Sequence, residues 1–242
     1  MDLLEVRAEF VKRSGRYDLV VDTTDWVDNG ANLYINSGQR FLDRLDTVPK
    51  SWGRRFIEVT SGEYYVTFQF CRAIKEAWVM NTEARSKLDK QDISDLREFY
   101  ASPVGELTSG TPVYYAPAVL RPIPDSLTAA ASEAISGFDD ILLTSTHYEY
   151  NGVIFYPPAD GTYTIEVWGL FYSPSLDDND DESYWSITHP EVLLMAAMHQ
   201  LEIAYRNTEG AKDWLAAINL EVGGIGRDFV EEHIAEVSQM EG

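Results

Sequence analysis

Residues able to bind a cation are densest at Asp177-Asp178-Asn179-Asp180-Asp181-Glu182, a run of carboxylates broken by one amide. Hard divalent cations favour such oxygen clusters, and spacing is the test. A calcium loop between two helices needs Gly at its sixth position and Glu at its twelfth. Counted from Asp177, those positions hold Glu182 and Thr188, so the pattern fails. The run reads as a solvated acidic linker, residues 177–185, with opportunistic cation binding as the lesser alternative. His189-Pro190-Glu191 and His199 lie near one another at a helix start. The ligand spacings of zinc sites are absent, so these histidines read as capping or packing residues. Cys71 is the one cysteine, so a single chain can build neither a disulfide nor a cysteine-based zinc site. In its aromatic, strand-like surroundings it reads as a small buried hydrophobe. There is no Gly-rich phosphate loop, no nucleophile elbow and no HExxH motif. The sequence therefore assigns no catalytic residue, no cofactor and no metal, and it points away from an enzyme.

Aromatic side chains are the other group with chemical reach: 14 Tyr, 10 Phe and 6 Trp. Tyr64, Tyr65, Tyr114, Tyr115, Tyr148, Tyr150 and Tyr156 cluster in the middle of the chain. At strand spacing such residues form core or cross-strand pairs, supply protein interfaces, or line a sugar-binding face. The sequence leaves these three readings open.

The chain has 242 residues, 45% of them hydrophobic and 24% charged, with 19 Lys+Arg against 40 Asp+Glu and a net charge of -21. That content suffices for one good core, or a core with a smaller satellite. So acidic a chain lacks the basic footprint with which nucleic-acid binding begins. The charge serves solubility, or forms a surface that DNA passes without sticking. The opening MDLLEVRAEFVKRSGR lacks the apolar core of a signal peptide, and no stretch has the apolar length to span a bilayer. The expectation is a protein made in a cytoplasm and kept there unless it leaves as part of a particle.

The elements that must position these residues fall into three textures. Leu3, Leu4, Val6, Phe10 and Val11 have helical spacing, and Ser14-Gly15 supplies a stop. Tyr17 to Val21 reads as an extended linker. Asp25 or Asp28 can cap a long helix with an apolar stripe of Val27, Ala31, Tyr34, Ile35, Gly38, Phe41, Leu42 and Leu45, ending before Pro49. Its opposite face carries Asn32, Asn36, Gln39, Arg40, Asp43 and Arg44. The middle region reads as short strands: Arg55–Thr60, Tyr64–Phe70, Ile74–Met80, Val113–Tyr115, Ile141–Thr144, Val153–Tyr156 and Tyr163–Phe171. A short helix over Gln91–Tyr100 interrupts them. Turns are marked by Ser61-Gly62, Ser109-Gly110, Asn151-Gly152 and Asp160-Gly161. Asn151-Gly152, between Tyr148–Tyr150 and Val153-Ile154, carries a hairpin signal. Pro112–Pro124 reads as a surface connection, and Leu127–Ile135 as a short helix or a mobile loop. The last region is helical. Thr188 can cap, Pro190 takes the first turn, and Val192, Leu193, Ala196, Ala197, Leu201, Ala204 and Tyr205 form an apolar face. Asn207–Gly210 ends that helix. Trp214, Leu215 and Ile218 begin another, which Gly223-Gly224 breaks before a final amphipathic helix with Phe229, Val230, Ile234 and Val237.

The expected fold class is α+β. Residues 1–49 and 186–242 form a helical bundle, and residues 50–176 form an inserted antiparallel β-sandwich or barrel-like module.

Two segments resemble the opening of phage head-to-tail adaptor (connector) proteins: Glu9–Val20 and Asp28–Asp43. His189–Ala197, with Leu201-Glu202 and Arg206-Asn207, is similar to the later helices of the same family. The resemblance covers the helical parts, under half of the chain. It implies a virion protein of the neck, made in the host bacterial cytoplasm. Such a protein forms a dodecameric ring that docks beneath the portal protein, links capsid to tail and surrounds the DNA exit channel. The implied partners are the portal, neighbouring adaptor subunits, tail nozzle, tube or fibre proteins, and genomic DNA passing without sequence-specific binding. No membrane is implied. A terminal helical segment that embraces the portal would here follow Gly223-Gly224, a hinge, and present Phe229, Val230, Ile234 and Val237. Ring subunits meet head-to-tail and need two complementary patches, for which Arg40, Asp43 and Arg44 are candidates. The acidic excess suits a channel wall that repels DNA, but the acids fit an outer surface equally. Competing readings are a tail terminator or other neck or tail component, a carbohydrate-binding module using the aromatic β region, and a hydrolase with dispersed carboxylates, which no spacing supports.

Overall fold

A computed structural model describes residues 1–45, 52–68, 70–82, 84–100, 107–118 and 151–237, and the side chains up to Ile225 in the last helix. Pro49, residues 119–124, Leu127–Ile135, Ile141–Thr144, Tyr148 and Tyr150 lie outside the described residues. The fold is α+β, as expected, and divides into two compact units: residues 1–51 with 172–242, and residues 52–171.

The first unit is helical. Helix α1 (Leu3–Ser14) opens with a reciprocal cap: Asp2 accepts from the Glu5 amide while Glu5 accepts from the Asp2 amide. It closes at Gly15, whose φ of 67° is the left-handed conformation glycine adopts without penalty. Tyr17–Leu19 is a turn of 3-10 helix rather than an extended linker; Val20 then pairs with Asp28, and the short loop between them leaves no room for a longer extended run. Helix α2 (Ala31–Leu45) follows, with Asp28 Oδ1 accepting the Asn32 amide at 2.9 Å. Ala31, Ile35, Gly38 and Leu42 are buried as the stripe requires, while Val27 is half exposed.

Helices α4 (Tyr184–Thr188), α5 (Pro190–Ala204) and α6 (Thr208–Val237) complete this unit. Pro190 occupies the first turn of α5, but Thr188 does not cap it. Thr188 ends α4, and the cap position falls to His189, which makes no side-chain cap bond. Ala204 and Tyr205 are exposed, so the buried face of α5 stops at Leu201. Asn207 both ends one helix and starts the next, its Oδ1 accepting the Gly210 amide at 3.3 Å. Gly223-Gly224 does not break the helix: α6 runs without interruption through both. Glycine lowers helix stability without forbidding the conformation, and Ile218, Val222 and Ile225 anchor the stretch in the core.

The second unit holds two four-stranded sheets. One has the order β1 (Trp52–Val59), β8 (Tyr163–Phe171), β3 (Cys71–Met80), β4 (Arg85–Lys87). The other has the order β2 (Tyr65–Phe68), β7 (Asn151–Tyr156), β6 (Tyr114–Ala118), β5 (Asp89–Lys90). Every pairing is antiparallel except β5 with β6. The chain enters through β1 and leaves through β8, which lie side by side with Trp52 opposite Leu170; this adjacency lets the unit be inserted. The sheets share a core, with Val59, Ile74, Ala77, Val79, Ile165 and Val167 meeting Val66, Phe68, Tyr115, Val153 and Phe155, and they do not close into a barrel. Helix α3 (Ile93–Phe99) covers a satellite cluster of Leu96, Tyr100, Ala116 and Ile154. Burial pushes the Tyr115 hydroxyl up to about 12, with Glu76 adding to the shift. Cys71 is buried.

Asn151-Gly152 is not a turn. Both residues belong to β7, with Gly152 opposite Thr67 on one side and Ala118 on the other. A Cβ on Gly152 would sit 2.7 Å from the Val66 carbonyl oxygen, so close backbone approach explains this glycine. Ser61-Gly62 is a turn, with Gly62 at φ 88°.

Candidate assembly surfaces of the helical unit

One polar stripe organises the helical unit. Asn32, Asn36, Gln39 and Asp43 recur along α2 at spacings that place them on one face. Each meets the chain that returns from the second unit or the residues that brace it. Asp43 is 3% exposed. Its carboxylate accepts from the Ser173 amide at 2.7 Å, the Ser173 hydroxyl at 3.1 Å and the Trp185 indole at 2.8 Å. Gln39 Nε2 donates to the Pro174 carbonyl at 2.7 Å. Asn36 makes a paired contact with Leu176, donating to its carbonyl at 2.9 Å and accepting from its amide at 2.8 Å. Asn32 accepts from Arg7 Nε at 2.8 Å, and the same buried guanidinium donates to the Trp26 carbonyl and to Asn179 Oδ1, both at 2.9 Å. Burial presses the Arg7 pKa down while Asp28 opposes the shift.

The polar face of α2 is thus a seam that fastens residues 173–179. Signals for it stand in the sequence. Amide side chains at 32, 36 and 39, where a solvated face would carry Lys and Glu, suit backbone hydrogen bonding. Arg7 sits among the apolar positions of α1.

Of the residues assigned to an interface, Arg40 and Arg44 are exposed and Asp43 is buried inside the seam. Arg44 Nε donates to the Tyr172 hydroxyl at 3.0 Å, and its guanidinium lies 5.4 Å from that ring's centroid. The acidic run is fastened to α1: the Leu3 amide donates to the Asp181 carbonyl at 3.0 Å and the Leu4 amide to Asn179 at 3.1 Å. Asp181 Oδ2 accepts the amides of Asp177 and Asp178, which holds its carboxyl below the ordinary range. Among the described residues no three His, Cys, Asp or Glu side chains form a group that could hold a metal ion. His199 Nδ1–H donates to the Ala211 carbonyl at 2.9 Å and its ring packs on Phe41, tying α5 to α6. His189 shares a hydrogen bond with the Tyr184 hydroxyl at 3.1 Å.

Helix α6 extends for about 45 Å at 1.5 Å per residue. Its inward residues Ile218, Val222 and Ile225 are buried against the core, while Leu220 is 79% exposed. Among the described residues nothing lies within 4 Å of a Cβ added at Gly223 or Gly224, so described packing requires neither glycine. The side chains of Phe229, Val230, Ile234 and Val237 lie outside the described residues; their backbone is helical.

These features define an α+β protein in which a helical unit, laced by its own polar side chains, carries an inserted two-sheet unit. The family model for the SU10 adaptor protein matches residues 1–235. The chain belongs to that family, a family of phage head-to-tail adaptors. The match spans both units and so extends well beyond the helical segments that carry the sequence resemblance. Comparison with curated proteins finds no match. Among the described residues no helix is long and apolar enough to cross a membrane.

Proposed function

We propose that the chain is a non-enzymatic ring subunit of the virion neck, docking beneath the portal, joining capsid to tail and lining the DNA exit channel. The observation that carries this reading is the adaptor-family match over residues 1–235. The net charge of -21 supports a passage role, because a ring of such subunits offers phosphate little attraction. Neighbouring copies, the portal and tail nozzle, tube or fibre proteins are the partners, and DNA passes without sequence readout. Arg40 and Arg44 face outward to meet a partner, and Asp43 serves that surface from inside by fixing the segment beside it. Docking uses the end of α6, with Phe229, Val230, Ile234 and Val237 against the portal and Gly223-Gly224 as the flexible point.

The test is the mass of the purified chain, alone and mixed with its phage's portal protein. A ring-sized complex with portal is expected, and a chain that stays an inert monomer overturns the reading. Ile225 belongs to the helical core, so the truncation that spares the fold removes residues 226–242. It should abolish portal docking while leaving the circular dichroism of the rest intact; normal docking by the truncation removes α6 from the interface.

A further inference from the structure

The two-sheet unit is joined along one side and ends in free strands along the other. On the joined side β4 runs through Leu88 into β5 of the second sheet, with the Leu88 amide donating to the Ala77 carbonyl at 2.9 Å. On the other side the sheets end in β1 and β2, of eight and four residues. Strand β1 pairs with β8 in unbroken register along its whole length. Among the described residues nothing pairs with its other edge. Alternate residues of such a strand turn their N–H and C=O groups outward, ready for a further strand. Edges are ordinarily blunted by shortness, proline, a bulge or charge. Strand β1 is long, has no proline and no bulge, and carries only charge: Arg54, Arg55 and Glu58.

The placement of that charge is informative. Val59 is in the core between the sheets, so Arg54, Phe56 and Glu58 share the opposite, outward face. All three are exposed. Across β8, Glu166 stands opposite Phe56 and is 2% exposed. It accepts from the Trp168 indole at 2.5 Å and from Arg85 at 2.7 and 3.0 Å. Lys87 holds Glu76 at 2.6 Å. The face therefore balances three cations, Arg54, Arg85 and Lys87, against three acids, Glu58, Glu76 and Glu166. Two of the six are left over, and both lie on the edge strand. Arg54 comes no nearer than 3.9 Å to Glu166, and Glu58 meets no cation among the described residues. They stand two residues to either side of Phe56.

We propose that the edge of β1 pairs antiparallel with β1 of a second copy of the chain, about a two-fold axis at Phe56. Such an axis, perpendicular to the sheet, keeps the outward faces of both copies on one side. Phe56 then faces Phe56 of the second copy, and Arg54 faces Glu58 twice, once in each direction. Opposite charges and aromatic rings directly across from one another are the favourable cross-strand pairs. The neighbouring two-fold registers lack them: one sets Arg55 against Arg55, and the other sets Glu58 against Phe56 and leaves Arg54 without an acid. A cation, a ring and an acid at alternate positions form a pattern that an antiparallel copy of itself complements, and this names the occupant. The two copies share one eight-stranded sheet, and the open edge disappears. The contact is isologous, unlike the head-to-tail contact of a ring, so it stands or falls without the ring reading.

Charge reversal in the full chain tests this. Arg54→Glu sets acid against acid across the axis, and Glu58→Arg sets cation against cation. Neither side chain is buried, and circular dichroism checks each fold. Sedimentation of the wild-type chain should show a dimer. Each single reversal should weaken self-association by about tenfold or more. An equimolar mixture of the two should regain it, because an edge with two acids then meets an edge with two cations, and so should the chain carrying both changes. Oxidative cross-linking gives a second readout that needs no charge change. Phe56→Cys should link two copies, since residues directly opposite across strands come within disulfide reach. Thr60→Cys, eight residues along from its counterpart, or about 26 Å, should not; the native Cys71 is buried. A wild-type chain that stays monomeric at its highest soluble concentration overturns the proposal. So does a dimer that both reversals leave intact, or a loss that the mixture does not restore. Should a reversed chain fail to fold, linkage at position 60 and not at 56 overturns it equally. Portal docking is scored separately: its failure sinks the ring reading and leaves the pair standing.

Discussion

Replacing Asp43 by Ala removes the acceptor at the centre of the α2 seam. Three donors converge on it: the Ser173 amide, the Ser173 hydroxyl and the Trp185 indole. The hydroxyl can rotate toward water. The other two cannot, because one belongs to the backbone and the other to a ring that is 2% exposed in the core. A hydrogen bond to a charged acceptor contributes about 1.5–3 kcal/mol, and a stranded buried donor costs about 1–3 kcal/mol. Asp43→Ala is therefore expected to destabilise the helical unit by about 3–5 kcal/mol, a large part of a typical domain's 5–15 kcal/mol. At an m-value of about 2–3 kcal/mol/M, the urea midpoint followed at 222 nm should fall by about 1–2 M. Hydrogen exchange should accelerate in the peptide spanning residues 172–179, which the seam holds. Arg40→Ala, one turn away on the exposed face, is the control and should stay within about 0.5 kcal/mol. If Asp43→Ala shifts stability by less than about 1 kcal/mol, or leaves exchange at 172–179 unchanged, the seam does not hold that segment.

Gly38→Ala should cost about 3 kcal/mol, read as a lowered melting temperature: the new methyl would sit 2.7 Å from the Ala197 nitrogen and 2.8 Å from the Ala196 carbonyl carbon, forcing α2 away from α5. Gly223→Ala and Gly224→Ala should act in the opposite sense, each adding about 0.8–1 kcal/mol to helix stability because no described neighbour opposes a side chain there; a hinge role adds weaker portal association in the same proteins. Arg13 holds Glu191 through contacts of 2.5 and 2.8 Å, and this hydrogen bonding depresses the Glu191 carboxyl below its ordinary value. Because the folded pKa is the lower one, the pair's contribution is whole above pH about 4.3 and is lost as pH falls through the depressed value. The pair is solvent-exposed, so Glu191→Gln should remove only about 0.2–1 kcal/mol of this pH-dependent stability, compared by urea unfolding at pH 7 and pH 3.

Much of the fold is legible in the sequence where one signal acts alone. The α1 stripe with Gly15, the α2 stripe with Gly38, and Pro190 in its first turn each follow from local chemistry that nothing else in the chain opposes. Asn151-Gly152 and Gly223-Gly224 mislead for one shared reason. Glycine in a sequence reports that a side chain is excluded or unnecessary, and says nothing about which. At Gly152 the exclusion comes from the Val66 carbonyl on a neighbouring strand, a contact between residues far apart in sequence. At Gly223 and Gly224 no described residue excludes a side chain, and the helix persists because Val222 and Ile225 hold it.

The candidate surfaces are less legible, and the cause lies in how polar residues are read. A helix with an apolar stripe invites the inference that the other side is wet. On α2 that inference fails at Asn36, Gln39 and Asp43, because the returning segment of the same chain needs its backbone groups satisfied and these side chains satisfy them, and at Asn32, which accepts from the buried Arg7. The same logic separates Asp43 from Arg40 and Arg44, which charge alone would group together. It also applies to Glu166, one acid among 40 in the sequence, whose buried position becomes evident only when Arg54, Arg85 and Trp168 arrive around it in the folded sheet. In a chain with so large an acidic excess, the informative acids are those the fold has taken out of water. Asp43 and Glu166 are both nearly inaccessible, and each fixes groups that would otherwise move. One physical rule therefore covers both units: a buried carboxylate persists where the orientation it imposes offsets its desolvation.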